Sequence, residues 1–173
     1  MATWRFKLSI LFASAGVPLY FFGFTSLAMQ MRSTNELFAA AFWIVCLIGT
    51  TGGLFIHVMA CVTPILYKKM MLKQSFEYTE ETLNTLFDAV KVPFFLLFTF
   101  LVIIPSIMIG CAIVLGFLSL PAWMVALTPL CLMLVGLLLR FIQKEWFDNL
   151  PGIIMPSLGL SMVGLMAAIN IMI

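Results

Sequence analysis

Residues 37–67 read LFAAAFWIVCLIGTTGGLFIHVMACVTPILY, thirty-one consecutive residues without a formal charge. A hydrocarbon layer about 30 Å thick takes roughly 20 helical residues at 1.5 Å each. The stretch is too long for one perpendicular span and too short for two, so it reads as one tilted or overhanging helix. Trp43 and Tyr67 bracket a portion of membrane length, the placing expected of amphipathic rings at two interfaces.

Four further apolar runs lie on either side of it: Leu8 to Met29, Val92 to Leu118, Trp123 to Phe141, whose one charge is Arg140 beside its end, and Leu150 to Ile173. With Trp43 to Tyr67 they make five expected spans. The composition agrees, with 64% hydrophobic and 9% charged residues where soluble domains carry about 45–50% and about 25%. Mean hydropathy is +1.18. Nine basic and seven acidic side chains cannot clothe 173 residues for water, which excludes a soluble domain. The fold class expected is an all-α polytopic transmembrane bundle of five spans, one domain over 1–173.

Arg5 and Lys7 before an apolar run with Ala13, Ser14 and Ala15 imitate a secretory signal. Cleavage there would leave an apolar core shorter than the usual 7–15 residues, while the run continues to Met29. The first segment therefore reads as a span that stays.

Orientation follows from the basic residues, which cytoplasmic segments retain. Five spans put Arg5, Lys7, Lys68, Lys69, Lys73, Lys91, Arg140 and Lys144 on one side, and only Arg32 on the other. The N-terminus is expected in the cytoplasm and the C-terminus opposite, with a bacterial inner membrane as the expected location. A net charge of +2 with no basic, aromatic-interleaved patch speaks against nucleic acid as a partner. The partners expected are the lipid bilayer and a membrane-protein partner or a second copy.

The polar segment 68–91 is expected to hold an interfacial amphipathic helix that runs into the third span. Thr79 is the expected N-cap, ahead of Glu80 and Glu81, where a helix dipole favours negative charge. Phe76, Leu83, Leu86, Phe87 and Val90 recur at helical spacing. Such a stripe serves either as a connector at the headgroups or as a docking or gating element. Pro18, Pro64 and Pro105 mark candidate kinks, and Ser106 is a candidate to satisfy a carbonyl freed by Pro105.

His57, the one histidine, stands out because ionisable groups inside a span are costly. Thr50, Gly53, His57, Cys61 and Pro64 share a stripe at spacings of three or four residues, with Thr51 beside it. The bland reading is a neutral histidine bonded to a neighbouring helix; the sharper one is a proton or substrate site. His57 and Cys61 could offer a metal two ligands, but zinc takes four, so no metal and no cofactor is expected. Gly49 and Gly53 form a GxxxG that lets another backbone approach; Ala112 with Gly116 and Ser157 with Ser161 repeat the small-residue spacing.

Every carboxylate lies outside the expected spans, which weakens an ion-coupled transporter and paired-carboxylate catalysis alike. The four cysteines lie in apolar runs and read as packing residues. No hydrolase, zincin or phosphate-loop motif occurs.

AGVPLYFFGFTSLAMQM (15–31) with TTGGLFIHVMA (50–60), and LPAWMVALTPLCLMLVGLLL (120–139) ahead of MPSLGLSMVGLMAAIN (155–170), resemble an uncharacterised bacterial multi-pass membrane family. The resemblance implies an intramembrane histidine beside glycine, here His57 and Gly53, and a late asparagine, here Asn170. It also implies a preceding hydrophobic segment with a Gly-Asp pair that this sequence lacks, so a histidine–carboxylate site would need Glu81 or Asp88 as substitute. It implies no activity. The expected function is a non-enzymatic membrane protein or a subunit of a larger membrane assembly. The alternatives are a small permease or channel with a polar path at His57, Thr50 and Thr51, and a membrane-embedded enzyme.

Overall fold

The computed structural model describes residues 3–148 and 154–172. Leu150 and Ile173, the outer limits of the last expected span, fall outside them. All regular structure in the described residues is helical: α1 Thr3–Arg32, α2 Glu36–Met70, α3 Phe76–Phe98, α4 Ile104–Val114, α5 Pro129–Ile142, α6 Lys144–Phe147 and α7 Met155–Met172. A π-helical turn, Thr99–Ile103, joins α3 to α4, and a 3-10 turn, Ala122–Leu127, precedes α5.

The long uncharged stretch lies within one continuous helix, as the overhanging reading requires. Asn35 starts α2 by accepting the Phe38 N–H at 3.0 Å on its side chain. Arg32 reaches back across this tight turn to Glu36. At the far end Ser75, not Thr79, caps α3 by accepting the Tyr78 N–H. Thr79 sits one turn further on, fully buried, its hydroxyl donating to the Ser75 carbonyl. The helix starts earlier than the acidic pair suggested because Ser75 is the first residue after the turn able to accept such a bond.

The amphipathic helix does run into the third expected span. Phe76–Val114 forms one 39-residue rod, and this rod, α1, α2 and α7 are long and apolar enough to cross a membrane. At the proline the rod widens: the Ile104 N–H reaches Thr99 O, a bond to the fifth residue back, and Pro105 follows. Ser106 donates its hydroxyl to Val102 O at 2.6 Å, its own i−4 carbonyl, and not to Leu101 O, the carbonyl four residues before Pro105.

The expected fourth span departs from expectation. Trp123–Phe141 is not a single helix but a 3-10 turn and then a 14-residue helix, α5, about 21 Å long and short of a 30 Å layer. The break is dictated by Pro129, which has no N–H to continue the turn and holds Thr128 extended at φ −65°, ψ 153°. Pro129 is the first residue of α5, where a missing N–H costs nothing.

α1 packs on α2 and α7, α2 also on the α3–α4 rod, and α5 on α7. Phe24, Leu27 and Met31 of α1 are fully buried with Phe42 and Cys46 of α2, Ile109 of α4, and Val163 and Met166 of α7. The core thus gathers at the end of the bundle that holds Arg32 and Glu36. Toward the other end, Val17 is the one buried residue of α1 before Phe24.

Glycines set the closest crossings. A Cβ on Gly49 would stand 2.7 Å from Leu101 Cα and run into the Phe100 carbonyl, so α2 and the π turn meet backbone to backbone. Gly53 lies within van der Waals reach of Leu101 and Val17. Both residues of the GxxxG therefore face inside. Gly116 is no packing residue: at φ +74° it ends α4, with Phe117 N–H bonded to Ala112 O and Gly116 N–H to Ile113 O. Ser157 and Ser161 lie exposed, and the close approach on α7 falls to Gly159, where a Cβ would stand 2.7 Å from Pro129 N.

Candidate functional site

His57 is half-buried on α2, where α1 passes antiparallel to it. Its Nε2 lies 2.9 Å from Ser9 Oγ on α1 and 3.5 Å from Cys61 Sγ one turn along α2. Ser9 donates when the ring proton is on Nδ1 and accepts when it is on Nε2. One ring nitrogen thus ties two helices together. Neither Glu81 nor Asp88 joins it, for Asp88 is paired with Lys91 at 2.8 Å in an exposed contact.

The rest of the stripe does not extend this polar contact. Thr50 is buried and donates to Cys46 O at 2.7 Å; Thr51 is exposed and donates to Leu47 O at 2.7 Å. Both hydroxyl protons return to α2's own carbonyls, the usual recourse of threonine in an apolar helix. Cys61 is buried beside His57. Among the described residues no three His, Cys, Asp or Glu side chains gather.

A second polar cluster joins α1 to α7, and its main member, Gln30, was not singled out in the sequence. Gln30 Nε2 donates to Ser26 Oγ at 3.1 Å and to Ala167 O at 3.0 Å, while its Oε1 accepts from Asn170 Nδ2. Asn170 Oδ1 is buried and has no hydrogen-bond partner. Asn170 is thus no chain-end cap; it links two helices 140 residues apart in sequence. An uncharged amide one turn from Ser26, directly after the apolar run Leu8 to Met29, was the signal for Gln30.

Facing contacts fix which residues share a level. Ser9 faces His57 and Thr25 faces Trp43. A Cβ on Gly52 would meet Leu97, so six residues further along α2 and six back along antiparallel α3 Lys91 comes level with Val58. Arg5 and Lys7 lie within about a turn of Ser9. His57 therefore lies at the level of the cations on α1 and α3, and the 21 residues from Glu36 to His57 rise about 31 Å. On α7, which runs parallel to α1 with Gly164 against Gly23, Gly159 and its partner Pro129 come level with Pro18, about 14 Å from Ser9.

These features define an all-helical bundle with apolar helices of membrane-crossing length, its interior hydroxyls bonded mostly to nearby backbone carbonyls and a few side chains bonded between helices. The chain belongs to the Family of unknown function (DUF6796), whose model matches residues 1–172. No curated protein and no solved structure matches it.

Proposed function

We propose that this protein is an integral membrane protein of non-enzymatic role, a helix-bundle subunit of a larger membrane assembly, with the N-terminus in the cytoplasm and the C-terminus opposite. A bacterial inner membrane is the setting the resemblance suggests. The observation that carries the reading is the division of surfaces. Large apolar side chains such as Leu11, Phe12, Leu19, Phe22, Phe95, Leu96, Leu138 and Phe141 point outward, while interior hydroxyls and amides are bonded to helix carbonyls or to one another. In water that arrangement is unfavourable, and in lipid it is the one expected.

The hydrocarbon layer fits between Glu36 and His57, which puts His57 at the cytoplasmic edge and not at mid-membrane. Val58–Met70 of α2 and Phe76–Lys91 of α3 then project inward as a helical hairpin roughly 20 Å long. A histidine at the edge, bonded to serine and cysteine, suits a helix tie better than a proton relay. The permease alternative with a path through His57, Thr50 and Thr51 draws no support from hydroxyls that turn back on their own helix. The enzyme alternative has Ser9 and Cys61 within reach of His57 Nε2, but among the described residues no carboxylate bonds to that ring to orient it as a general base.

Purification from the native membrane in mild detergent, followed by native mass measurement, tests the subunit role. The expected outcome is a complex heavier than one chain that contains at least one other membrane protein. Recovery as a lone chain, with solute flux in vesicles that His57→Ala abolishes at unchanged expression, would replace it with the permease.

A further inference from the structure

Beside the break before α5 lies a cavity of about 470 Å³. Ser106, Ile107, Gly110, Cys111, Val114 and Leu115 form one wall, successive turns of a single face of α4. Val125, Thr128, Leu130 and Cys131 form the other, across the break. The space exists because the 3-10 turn and the extended Thr128 stand where a straight span would have placed another full turn of side chains.

Its chemistry is narrow. Ser106 donates to Val102 O and accepts the Leu130 N–H at 3.0 Å, and Thr128 donates to Val125 O at 2.8 Å. Both hydroxyl protons are committed to backbone, so the walls offer an occupant hydrocarbon and two thiols and no free hydroxyl donor. A polar solute would lose its water and gain no partner.

Its dimensions are as specific. The wall from Ser106 to Leu115, the residue after α4, covers nine helical steps, about 13 Å. Gly49 faces Phe100, so fourteen residues further Val114 comes level with Asn35, at the Arg32–Glu36 end. The deep end, at Thr128–Leu130, is held to Ser106 by the Leu130 N–H, eight residues and about 12 Å from Val114 along α4. The cavity therefore runs from one edge of the proposed hydrocarbon layer to its middle, the depth of a single leaflet. It is open to the side, for Ile107, Val114 and Leu115 are exposed.

We infer that this cavity is a binding site for one acyl chain of a lipid in the leaflet on the Arg32–Glu36 side, held between α4 and the broken segment before α5. The inference rests on the membrane placement proposed above. One leaflet of depth, apolar walls and a lateral mouth fit a single hydrocarbon tail and not a second transmembrane helix, which would be about 10 Å wide and twice too long.

The test uses the full chain in phosphatidylcholine vesicles doped with phosphatidylcholine that carries a diazirine either near the tail methyl or near the glycerol, with adducts mapped by peptide mass spectrometry. Adducts from the tail-end probe are expected on Leu130 and Cys131, both half-buried, several-fold above those on Leu19 and Phe22, more exposed apolar residues on α1. The glycerol-end probe should shift them to Val114 and Leu115. Gly110→Leu, whose Cβ has room 3.6 Å from Val125, and separately Cys131→Phe should fill the site and bring its labelling down to the α1 level. Labelling that is uniform over all exposed apolar residues, or unchanged in both variants, would overturn the site and leave the membrane placement standing. Thiol-to-thiol linkage of Cys131 between two copies, with no tail adducts, would assign the cavity to a second copy. Absence of adducts on every residue, Leu19 and Phe22 included, would overturn both readings.

Discussion

His57 and Ser9 form a cross-helix bond of ordinary length between two half-buried side chains, and such bonds in membrane proteins are worth about 0.6 kcal/mol on average. Replacing either by Ala should lower stability by about that much, and the double variant should lose little more than either single one, as read by thermal unfolding in detergent in a four-protein cycle. Additive losses would show that the bond carries no coupling. The amide cluster makes an asymmetric forecast. Gln30→Leu strips Asn170 of its partner and leaves both ends of a half-buried amide without a protein partner, at a cost toward the lower end of about 1–3 kcal/mol. Asn170→Leu strands the Gln30 carbonyl but also removes an oxygen that already lacks a partner, so it should cost less; equal losses in the same melts would contradict that ranking. His57 was legible in the sequence because a lone histidine in an uncharged run is conspicuous, and so was Asn170 as a polar group in need of a bond. Its partner was not, since Gln30 and Asn170 meet only through the parallel packing of the first and last helices, which hydropathy does not encode.

At the scale of elements, α2 and the rod Phe76–Val114 were readable as single helices because nothing in them outweighs propensity and length. The break at Thr128 was masked by counting uncharged residues, since hydropathy registers composition and is blind to whether the backbone stays helical. Pro121 and Pro129 were the available signal, each with an extended residue at or beside it. Small-residue spacing was similarly partial: Gly49 and Gly53 do face a neighbour, whereas Gly116 stops a helix and Ser157 and Ser161 face outward. Spacing alone cannot separate these roles, because each depends on where the neighbouring helix crosses. The difference is measurable. Gly49→Ala should destabilise by about 1–3 kcal/mol, since the new methyl meets the backbone of the π turn and backbone cannot swing aside. Gly164→Ala points its methyl into open space and should be neutral or stabilising by up to about 1 kcal/mol, because alanine loses less backbone freedom in a helix. If the two variants melt alike, the close crossing of α2 with Thr99–Ile103 is wrong.

For the whole molecule, the basic residues gather from helices that are far apart in sequence. Eight of the nine Lys and Arg residues belong to the end where α1 starts, α2 ends and α3 starts, or to α5 and α6; Arg32 alone is at the other. α5 leaves Pro129 near the middle and touches the π turn, which lies further from the Arg32 end than Ser106 does. Arg140, eleven residues along, is then about 16 Å from the middle and level with the cations of α1 and α3. In the proposed placement a broken segment still brings Arg140 to the boundary shared with the cations of α1 and α3, because that depends on where the segment ends and not on whether its backbone stays helical throughout. The arrangement commits to a labelling pattern in intact cells that express variants stripped of native cysteines. Ser33→Cys, in the turn before α2, should react with a membrane-impermeant maleimide from outside. Lys73→Cys, in the turn before α3, should react only after permeabilisation. Val58→Cys separates the two boundaries considered for α2: with the layer ending at His57, permeabilised cells should label it, whereas a span running on to Tyr67 would bury it nine residues deep and keep it silent, with Leu47→Cys silent in either case. Reaction of Val58→Cys alongside Lys73→Cys would place His57 at the membrane edge and make the α2–α3 hairpin the part of this protein that reaches furthest into the cytoplasm.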